Sequence, residues 1–254
     1  MAVAAARAGA DRLRTGGLRR RPAERKGLPG DWVTDSDRAS EDAILDVLAR
    51  EAPGVPVLAE ERGGELAETG WAVDPLDGTT NFIHGLPVVG VSVALLEHGL
   101  PHVGVVLAPW LDLELAAERG RGATHNGEPL PQLEAGDPAR SVVATGFPFR
   151  RKHLLPRYEA MLSPALRRFE DLRRAGAASL DLGWTATGAH DGFFELGLGP
   201  WDVAAGAALV LEVGGRVTDW SGGRGWVRSG DILAGPPAVH ELLLELAAGA
   251  ASAG

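Results

Sequence analysis

The stretch Trp71-Ala-Val-Asp-Pro-Leu-Asp-Gly-Thr-Thr-Asn-Phe82 is the part of the chain on which the predicted fold depends. Its first three residues are apolar and predict a short buried strand. Pro75 and Gly78 follow, and both residue types favour the backbone angles of turns. Thr79 is a residue type that caps helices, so we predict a short helix that begins there. The stretch therefore predicts a strand, a turn and a helix in immediate succession.

Two carboxylates, those of Asp74 and Asp77, stand three residues apart in this turn. Carboxylates that converge at the end of a strand repel each other unless a cation lies between them. Because the chain contains no cysteine, the hard oxygen ligands favour Mg²⁺, Mn²⁺ or Ca²⁺ over zinc. An isolated pair with this spacing is more often an ordinary acidic turn, so the interpretation depends on the rest of the chain.

The composition predicts a folded protein with a sizeable core. The chain has 254 residues, of which 45% are hydrophobic, and this suffices for one large domain or two modest ones. The absence of cysteine excludes a disulfide framework and a thiol nucleophile, so we expect a protein of the reducing cytoplasm. No run of 18 apolar residues exists, and we therefore expect no membrane span.

The net charge of −9 is unevenly distributed along the chain. Residues 1–30 contain eight basic and two acidic residues, so the remainder carries a charge of −15. An N-terminal segment rich in Arg and Ala has the composition of a transit peptide. We interpret it as a solvated helix face, because it continues directly into the predicted fold. The acidic body argues against general nucleic-acid binding.

Hydrophobic periodicity and turn residues predict a chain of mixed helices and strands. Thr34 and Asp37 have the spacing of a capping box at the start of the second helix. Asn126-Gly127 is a strong hairpin signal, so we expect the first half to end in antiparallel sheet. The predicted helices cover residues 2–15, 36–51, 154–162, 176–189, 203–213 and 237–246. The predicted strands cover residues 55–59, 71–73, 88–96, 102–108, 111–117, 141–145, 169–173, 191–195, 216–219 and 232–234.

Two long motifs, more than 100 residues apart, carry a resemblance to a known family. Residues 74–82 read Asp-Pro-Leu-Asp-Gly-Thr-Thr-Asn-Phe, and residues 199–206 read Gly-Pro-Trp-Asp-Val-Ala-Ala-Gly. With Glu-Val-Gly-Gly at 212–215, they resemble the inositol monophosphatase family of Mg²⁺-dependent, lithium-sensitive phosphatases. The resemblance extends from about Asp31 to Glu245. Shorter motifs agree with it and lie at residues 31–34, 122–127 and 145–149.

The resemblance implies an α+β fold of the type shared by inositol monophosphatase and fructose-1,6-bisphosphatase. Helices and mostly antiparallel sheets would alternate as a layered α-β-α-β-α sandwich. We expect residues 1–254 to form a single domain with two halves. The first, about residues 1–138, would carry the first metal motif, and the second, about residues 139–254, would carry the second metal motif and substrate contacts. Family members commonly dimerise, so we expect a homodimer.

The resemblance also implies a site for two or three Mg²⁺ ions. The ligands would be the side chains of Glu60, Asp74, Asp77 and Asp202 and the backbone carbonyl of Leu76. Asp74 would contact both of the first two ions. Such a site suits the chemistry, because two cations about 3.5–4 Å apart can stabilise the attacking and leaving oxygens of an in-line displacement.

Four residues would take part in catalysis, and they are Glu60, Asp37, Thr79 and Lys26. Asp37 and Thr79 would activate the attacking water as a hydrogen-bonded pair, and Thr79 would also lie beside the first ion. Lys26 stands five residues before Asp31, as a family lysine does, and would contact the metal-bound water or the phosphate. Without the resemblance, helix capping would explain Asp37, and solvated charge would explain Glu60.

Six residues would bind the substrate, and they are Gly78, Thr79, Thr80, Ala177, Glu195 and Asp202. The amides of residues 78–80 begin the predicted short helix, where N–H groups and the helix dipole favour phosphate. Glu195 matches the family position that hydrogen-bonds a substrate hydroxyl. Two departures lie near the expected substrate pocket. Residues 176–179 read Gly-Ala-Ala-Ser where the family often has Gly-Ser-Ala-Ala, and His190 stands where many relatives have Arg.

These roles predict a phosphatase that acts on a small-molecule phosphate monoester, with inositol monophosphate or a related polyol phosphate as the expected substrate. Fructose 1,6-bisphosphate, histidinol phosphate and 3′-phosphoadenosine 5′-phosphate remain alternatives, since basic residues at 150–152 and 173–174 could receive a second phosphate. A non-catalytic partner-binding protein on the same fold is the alternative from a different class. Loss of a metal ligand would favour that alternative, and the sequence retains all of them.

Overall fold

The structure is a computed structural model that describes residues 1–20, 22–26, 32–134 and 136–251. Its helices are α1 (Ala2–Gly16), α2 (Asp35–Glu51), α3 (Thr79–His84), α4 (Leu155–Arg168), α5 (Ala178–Thr187), α6 (Pro200–Glu212), α7 (Trp226–Ser229) and α8 (Pro237–Ala251). Its strands are β1 (Glu24–Arg25), β2 (Trp32–Val33), β3 (Val57–Ala59), β4 (Gly70–Asp77), β5 (Gly90–Glu97), β6 (Leu100–Ala108), β7 (Leu113–Glu118), β8 (Gly122–His125), β9 (Glu128–Pro129), β10 (Val142–Thr145), β11 (Asp171–Arg173), β12 (Gly192–Glu195), β13 (Arg216–Thr218) and β14 (Ile232–Gly235).

The larger sheet has seven strands in chain order, from β3 to β9. Its first pair, β3 and β4, is parallel, and every following pair is antiparallel. The predicted hairpin at Asn126-Gly127 is confirmed, because these two residues join β8 to β9. Their φ angles of 50° and 87° are the positive values that a tight two-residue hairpin requires.

The second sheet has five strands in the order β11-β10-β12-β14-β13. Strand β10 pairs in parallel with β11 and β12, and the two pairs that contain β14 are antiparallel. Helices α5 and α6 contact strands of both sheets, α1 and α2 pack on the larger sheet, and α8, with α4 against it, packs on the smaller one. The predicted α-β-α-β-α sandwich with mostly antiparallel sheets is therefore confirmed.

Three apolar clusters fill the spaces between these layers. One lies between α1, α2 and the larger sheet, and includes Leu13, Ile44 and Val93. The central cluster joins the larger sheet to α5, α6 and the smaller sheet. The third lies between the smaller sheet and the pair α4 and α8, and includes Tyr158 and Leu243. Each sheet is thus covered on both faces, as the layered arrangement requires.

Helix α6 lies unusually close to the larger sheet. A Cβ added at Gly104 in β6 would overlap the carbonyl oxygen of Ala205, and one added at Gly206 would overlap Leu182 in α5. These contacts explain the Ala- and Gly-rich composition of α6. Small residues let the helix backbone approach its neighbours, and this approach fixes the position of the helix and of the side chains at its N-terminus.

The stretch 71–82 folds as a strand, a turn and a helix, but with different bounds. Strand β4 runs from Gly70 to Asp77, and its pairing with β5 shifts register between Asp74 and Asp77. Pro75 explains the shift, because it has no N–H to donate to a neighbouring strand. The prediction that Thr79 caps the short helix is wrong. The N-cap is Gly78, with a φ of 90° that favours glycine, and Thr79 is the first helical residue.

Other predicted elements differ at their ends. The capping box of Thr34 and Asp37 is confirmed. Helix α4 continues beyond its predicted end through Pro164 to Arg168. The short helix α7 and the pair β1–β2 were not predicted. Asp31 lies outside the described residues. In the described ranges, no helix combines the length and the apolar character that a membrane-spanning segment needs.

Candidate metal and substrate site

Three carboxylates from distant parts of the chain converge where β4 ends. Asp74 and Asp77 belong to β4, and Asp202 lies in the first turn of α6. One oxygen of each lies within 4.8 Å of the others. Ser92, which pairs with Asp74 across the sheet, donates from its Oγ to the carbonyl of Trp201 at 2.7 Å. The start of α6 is therefore tied to the strand beside Asp74.

Local hydrogen bonds fix the orientation of two of these carboxylates. The backbone N–H of Leu76 donates to Asp74 Oδ1 at 2.9 Å. The N–H of Gly199 donates to Asp202 Oδ2 at 2.6 Å. Each bond stabilises the ionised form and uses one oxygen of the group. One oxygen of each group is therefore held by the backbone.

Burial and like charge raise the pKa values of the cluster. The pKa of Asp74 lies well above its usual value because the group is buried and the charges of Glu60, Asp77 and Asp202 surround it. Burial raises the pKa of Asp77 to about 6, although hydrogen bonds from Ser179 lower it. Burial, followed by the charge of Asp77, raises the pKa of Asp202 to about 7. Such a donor set, made only of carboxylate oxygens, fits a hard divalent cation such as Mg²⁺.

Glu60 follows β3 and stands beside two cationic side chains. Its backbone N–H donates to the carbonyl of Val73 at 3.1 Å, which places it next to β4. Lys26 Nζ lies 3.2 Å from Glu60 Oε1 and also contacts Glu61. Arg150 Nη1 lies 3.9 Å from the same Glu60 oxygen. The structure thus brings Lys26 and Glu60 together, and the predicted contact of Lys26 with the phosphate or its water stays a prediction.

Asp37 and Thr79 also meet, although they are 42 residues apart. The backbone N–H and the hydroxyl of Thr34 donate to Asp37 Oδ2 at 2.8 and 2.5 Å. The other oxygen, Oδ1, lies 3.3 Å from the hydroxyl of Thr79. Burial raises the pKa of Asp37 to about 6 against the lowering effect of the Thr34 bonds. The residue both caps α2 and faces Thr79.

The cluster opens into a cleft of about 590 Å³, a size within the range of small-molecule sites. Two predicted site residues do not line it: Asp37 lies buried in contact with Thr79, and Lys26 lies on a neighbouring charged groove. The roles of all the site residues remain predictions. Those that line the cleft are Glu60, Asp74, Leu76, Asp77, Gly78, Thr79, Thr80, Ala177, Glu195 and Asp202.

Glu195 is the last residue of β12, and its carboxyl group packs against Gly146. A Cβ added at Gly146 would overlap both carboxyl oxygens. Burial raises the pKa of Glu195 well above its usual value, and the charge of Asp181 raises it further. Arg174 opposes these effects. Glu195 therefore lines the cleft beside other charged groups, of which Asp181 and Asp202 raise its pKa and Arg174 lowers it.

Two phenylalanines and an arginine form a wall of the cleft. The sequence indicated Arg174 as a possible partner of a second phosphate, but it predicted neither aromatic ring at this wall. The ring centres of Phe147 and Phe149 lie 5.6 Å apart in an edge-to-face arrangement. The guanidinium carbon of Arg174 lies 5.5 Å from the first ring centre and 5.6 Å from the second. Phe149 is 55% exposed. The available sequence signal was the pattern Phe-Pro-Phe directly before the basic residues 150–152.

The two departures noted in the sequence have different environments. Ser179 in α5 bonds directly to Asp77, a contact that sequence reasoning did not predict. His190 does not line the cleft. Its Nδ1 lies 3.8 Å from Asp181 Oδ1, and its ring centre lies 5.4 Å from that of Trp184. His190 therefore packs against α5, away from the expected substrate pocket.

Comparison with known proteins identifies the family. Residues 1–251 match the sequence model of the inositol monophosphatase family. The chain belongs to this family. The Nus factor SuhB of Escherichia coli strain K12 is 42% identical over 217 residues, which cover 84% of this chain and 81% of that protein. The inositol monophosphatase (IMPase) of Thermotoga maritima has a TM-score of 0.88 at 31% identity and covers 98% of this chain and 96% of its own. The extragenic suppressor protein suhB from Bartonella henselae has a TM-score of 0.87 at 37% identity and covers 96% and 95%.

Membership in the inositol monophosphatase family confirms the resemblance predicted from the two motifs. The similar solved structures confirm the layered fold. The family is generally Mg²⁺-dependent, which agrees with the acidic cluster of Asp74, Asp77 and Asp202. Family membership supports a phosphatase acting on a small-molecule phosphate.

Proposed function

We propose that the protein is a Mg²⁺-dependent phosphomonoesterase that hydrolyses inositol monophosphate or a related small polyol phosphate. The observation that carries the proposal is the convergence of Asp74, Asp77 and Asp202 within 4.8 Å, in a cleft that Glu195 also lines. The cluster offers hard ligands for a cation beside the phosphate, and Glu195 offers an acceptor or donor for an alcohol hydroxyl.

Two overlapping ligand sets would hold the proposed ions. Asp74, Asp77 and Asp202 would hold one ion, and Glu60, Asp74 and the carbonyl of Leu76 would hold another, with a third ion near Glu60 as part of the same proposal. When bound, Mg²⁺ supplies positive charge to the phosphoryl oxygens and lowers the pKa of a water molecule. The buried carboxylates of this chain supply the negative charge that makes such binding favourable.

The proton of the attacking water would pass to the pair formed by Thr79 and Asp37. Thr79 Oγ1 lies 3.3 Å from Asp37 Oδ1, and burial raises the pKa of Asp37 to about 6, a value suited to a general base near neutrality. Lys26 would balance the charge of Glu60 and Glu61, its two contacts, and face the phosphate or its water.

The substrate would bind between two walls of the cleft. The amides of Gly78, Thr79 and Thr80 would receive the phosphate, because α3 begins there and its first N–H groups lack helical partners. Ala177 and Asp202 would lie against the alcohol portion, and Glu195 would hydrogen-bond a hydroxyl. All of these residues line the same cleft.

A panel of phosphate esters assayed with Mg²⁺ tests this function. Inositol 1-phosphate, glycerol 2-phosphate, fructose 1,6-bisphosphate, histidinol phosphate and 3′-phosphoadenosine 5′-phosphate would each be supplied, and released phosphate measured. We expect the highest kcat/KM for a polyol phosphate. Absence of Mg²⁺-dependent release from every ester would contradict the proposal.

One observation favours 3′-phosphoadenosine 5′-phosphate among the alternative substrates. The wall of Phe147, Phe149 and Arg174 offers flat apolar surface and a cation at the rim of the site, and a small polyol uses neither. A nucleotide base stacks on aromatic rings and on guanidinium groups. If this substrate is preferred, Phe149→Ala should raise its KM by about tenfold or more. Leu166→Ala is the matched control, because Leu166 is a similarly exposed apolar residue that does not line the cleft.

A non-catalytic role is the remaining alternative, and the SuhB relatives give it weight because Nus factor is not a phosphatase name. All the predicted metal ligands are present here, which supports catalysis. Replacing the chromosomal gene with an Asp74→Asn allele separates the two roles. If the strain with this allele behaves like a deletion strain, the role of the protein in the cell depends on catalysis. If it behaves like the wild type, that role does not depend on catalysis.

The proposed homodimer and cytoplasmic location follow from the family resemblance and the composition. Sedimentation equilibrium of the purified protein tests the first. Fractionation of cells that express the protein tests the second.

A further inference from the structure

We propose that Ser179 is a positioning residue for the metal site, which it serves by holding the carboxylate of Asp77. Ser179 lies in the first turn of α5, and 102 residues separate it from Asp77. Its backbone N–H donates to Asp77 Oδ2 at 2.7 Å, and its hydroxyl donates to the same oxygen at 2.6 Å. The inference rests on the proposed function, because it assigns Ser179 a part in the ligand set proposed there.

Both bonds go to the same carboxylate oxygen of Asp77 and leave the other oxygen for a different partner. A carboxylate oxygen has two lone-pair sites, and Ser179 uses both sites of Oδ2. The other oxygen, Oδ1, is then the one left to bind a cation. A carboxylate held through one oxygen by two donors cannot rotate without breaking both bonds. Ser179 therefore fixes the direction in which Asp77 presents its free oxygen to Asp74 and Asp202.

The hydroxyl of Ser179 lies in a buried space beside the backbone of Gly90. Ser179 is fully buried. Gly90 in β5 pairs with Asp77 across the sheet, and a Cβ added at Gly90 would lie 2.7 Å from Ser179 Oγ. Gly90 does not have a positive φ, so its backbone conformation does not demand glycine. The absence of a side chain at Gly90 instead leaves room for the hydroxyl of Ser179.

The chemistry of this contact is that of an outer-shell hydrogen bond to a metal ligand. Such partners orient the ligand, and their removal typically weakens metal binding by about 10–100-fold. Two features make Ser179 more than a packing residue. Its hydroxyl is directed at a carboxylate, and it doubles a bond that the backbone N–H already makes. Ser179→Ala removes the hydroxyl and keeps the backbone bond.

Isothermal titration of the full-length protein with Mg²⁺ tests the proposal. We expect Ser179→Ala to raise the Kd for Mg²⁺ by about tenfold. Titration of the unmodified protein comes first. No binding by that protein would overturn the proposed function itself, whereas equal binding by the protein and by Ser179→Ala would overturn only the role of Ser179.

A double variant separates positioning from packing. Gly90→Ala together with Ser179→Ala fills the space that the hydroxyl leaves, although the new Cβ would also lie 3.3 Å from Leu180 Cγ. The double variant should therefore recover part of the Tm of the metal-free protein and keep the weakened Mg²⁺ binding. If Mg²⁺ affinity recovers together with the Tm, Ser179 acts through packing and the proposal is overturned. If Ser179→Ala fails to fold, the Kd of the double variant decides by the same tenfold criterion.

Discussion

The hydroxyl of Thr79 lies between two acceptors, 3.3 Å from Asp37 Oδ1 and 3.2 Å from the carbonyl oxygen of Leu76. A hydroxyl carries one proton, so it donates to one of these oxygens at a time. If the Leu76 carbonyl binds a cation, as proposed, it becomes the poorer acceptor, and the hydroxyl of Thr79 would donate to Asp37. The oxygen of Thr79 could then accept a hydrogen bond from water, and a proton taken from that water would be balanced by transfer of the hydroxyl proton of Thr79 to Asp37.

Thr79→Ala tests this arrangement. Loss of the proton path should lower kcat by about 10²–10⁴-fold, the usual contribution of general acid–base catalysis. Thr79→Ser keeps the hydroxyl and serves as the control, with activity expected within about tenfold of the unmodified protein. Steady-state kinetics over a range of pH provides the measurement. Equal activity of the Ala and Ser variants would exclude a catalytic hydroxyl.

Asp74→Asn should abolish activity, because an amide supplies neither the charge nor the two ligand positions that the proposed bridging role requires. We expect kcat to fall by roughly 10³-fold or more. Asp46→Asn is the matched control, since Asp46 is exposed on α2 and does not line the cleft. A folded Asp74→Asn protein that retains a tenth of the normal kcat would disprove the metal assignment.

Glu195→Gln should weaken recognition of the alcohol portion of the substrate more than recognition of the phosphate. Loss of one charge-assisted hydrogen bond costs about 1.5–3 kcal/mol, which is equivalent to a rise in KM of roughly 10-fold or more. The comparison is between inositol 1-phosphate and a simple aryl phosphate. If both substrates lose the same factor in kcat/KM, Glu195 does not contact the alcohol.

Lithium should inhibit the enzyme, because Li⁺ is close to Mg²⁺ in size and carries half its charge. At the site of Asp74, Asp77 and Asp202 it would occupy the ligands and neutralise less of the charge on the leaving oxygen. Inhibition should be uncompetitive with substrate, and excess Mg²⁺ should relieve it. Rates across a grid of Li⁺ and Mg²⁺ concentrations supply the measurement. Competition between Li⁺ and substrate would argue against this site.

The metal-free protein should lose stability as the pH rises. Burial raises the folded-state pKa of Asp37 and Asp77 to about 6 and that of Asp202 to about 7, above their ordinary values. The folded state therefore holds protons that the unfolded chain releases between about pH 4 and pH 7, and the free energy of unfolding falls across that window.

Thermal melts at pH 5.5 and 7.5, with and without Mg²⁺, provide the measurement. Mg²⁺ should raise the Tm more at pH 7.5, and Asp202→Asn should reduce the difference. A Tm of the metal-free protein that rises with pH across this window would contradict the expectation.

Sequence motifs located most of the candidate site because its residues are close together in the chain or belong to long patterns. Asp74 and Asp77 lie in one turn, and the capping box of Thr34 and Asp37 is a local pattern whose bonds form as predicted. The hairpin at Asn126-Gly127 was equally local. Signals of this kind depend on backbone conformation over a few residues, and the conformational preferences of those residue types predict it.

Contacts between distant segments were harder to predict. Ser179 bonds to Asp77 across 102 residues, and Arg174 meets Phe147 only when the loop after β10 and the segment between β11 and α5 come together. No spacing rule encodes such contacts. Thr79 was assigned the N-cap because threonine favours that position, but the left-handed turn at Gly78 shifted the start of the helix by one residue. Tertiary contacts decided the first two cases, and the local backbone at Gly78 decided the third.

The tie between Ser92 and Trp201, together with the close approach of Gly104 to Ala205, has a consequence for the order of events during synthesis. A growing chain contains Asp74 and Asp77 long before Asp202 leaves the ribosome. The third carboxylate is positioned only when α6 docks on the larger sheet. The proposed metal site is therefore complete only late in translation, after α5 has supplied Ser179 to Asp77 and α6 has supplied Asp202.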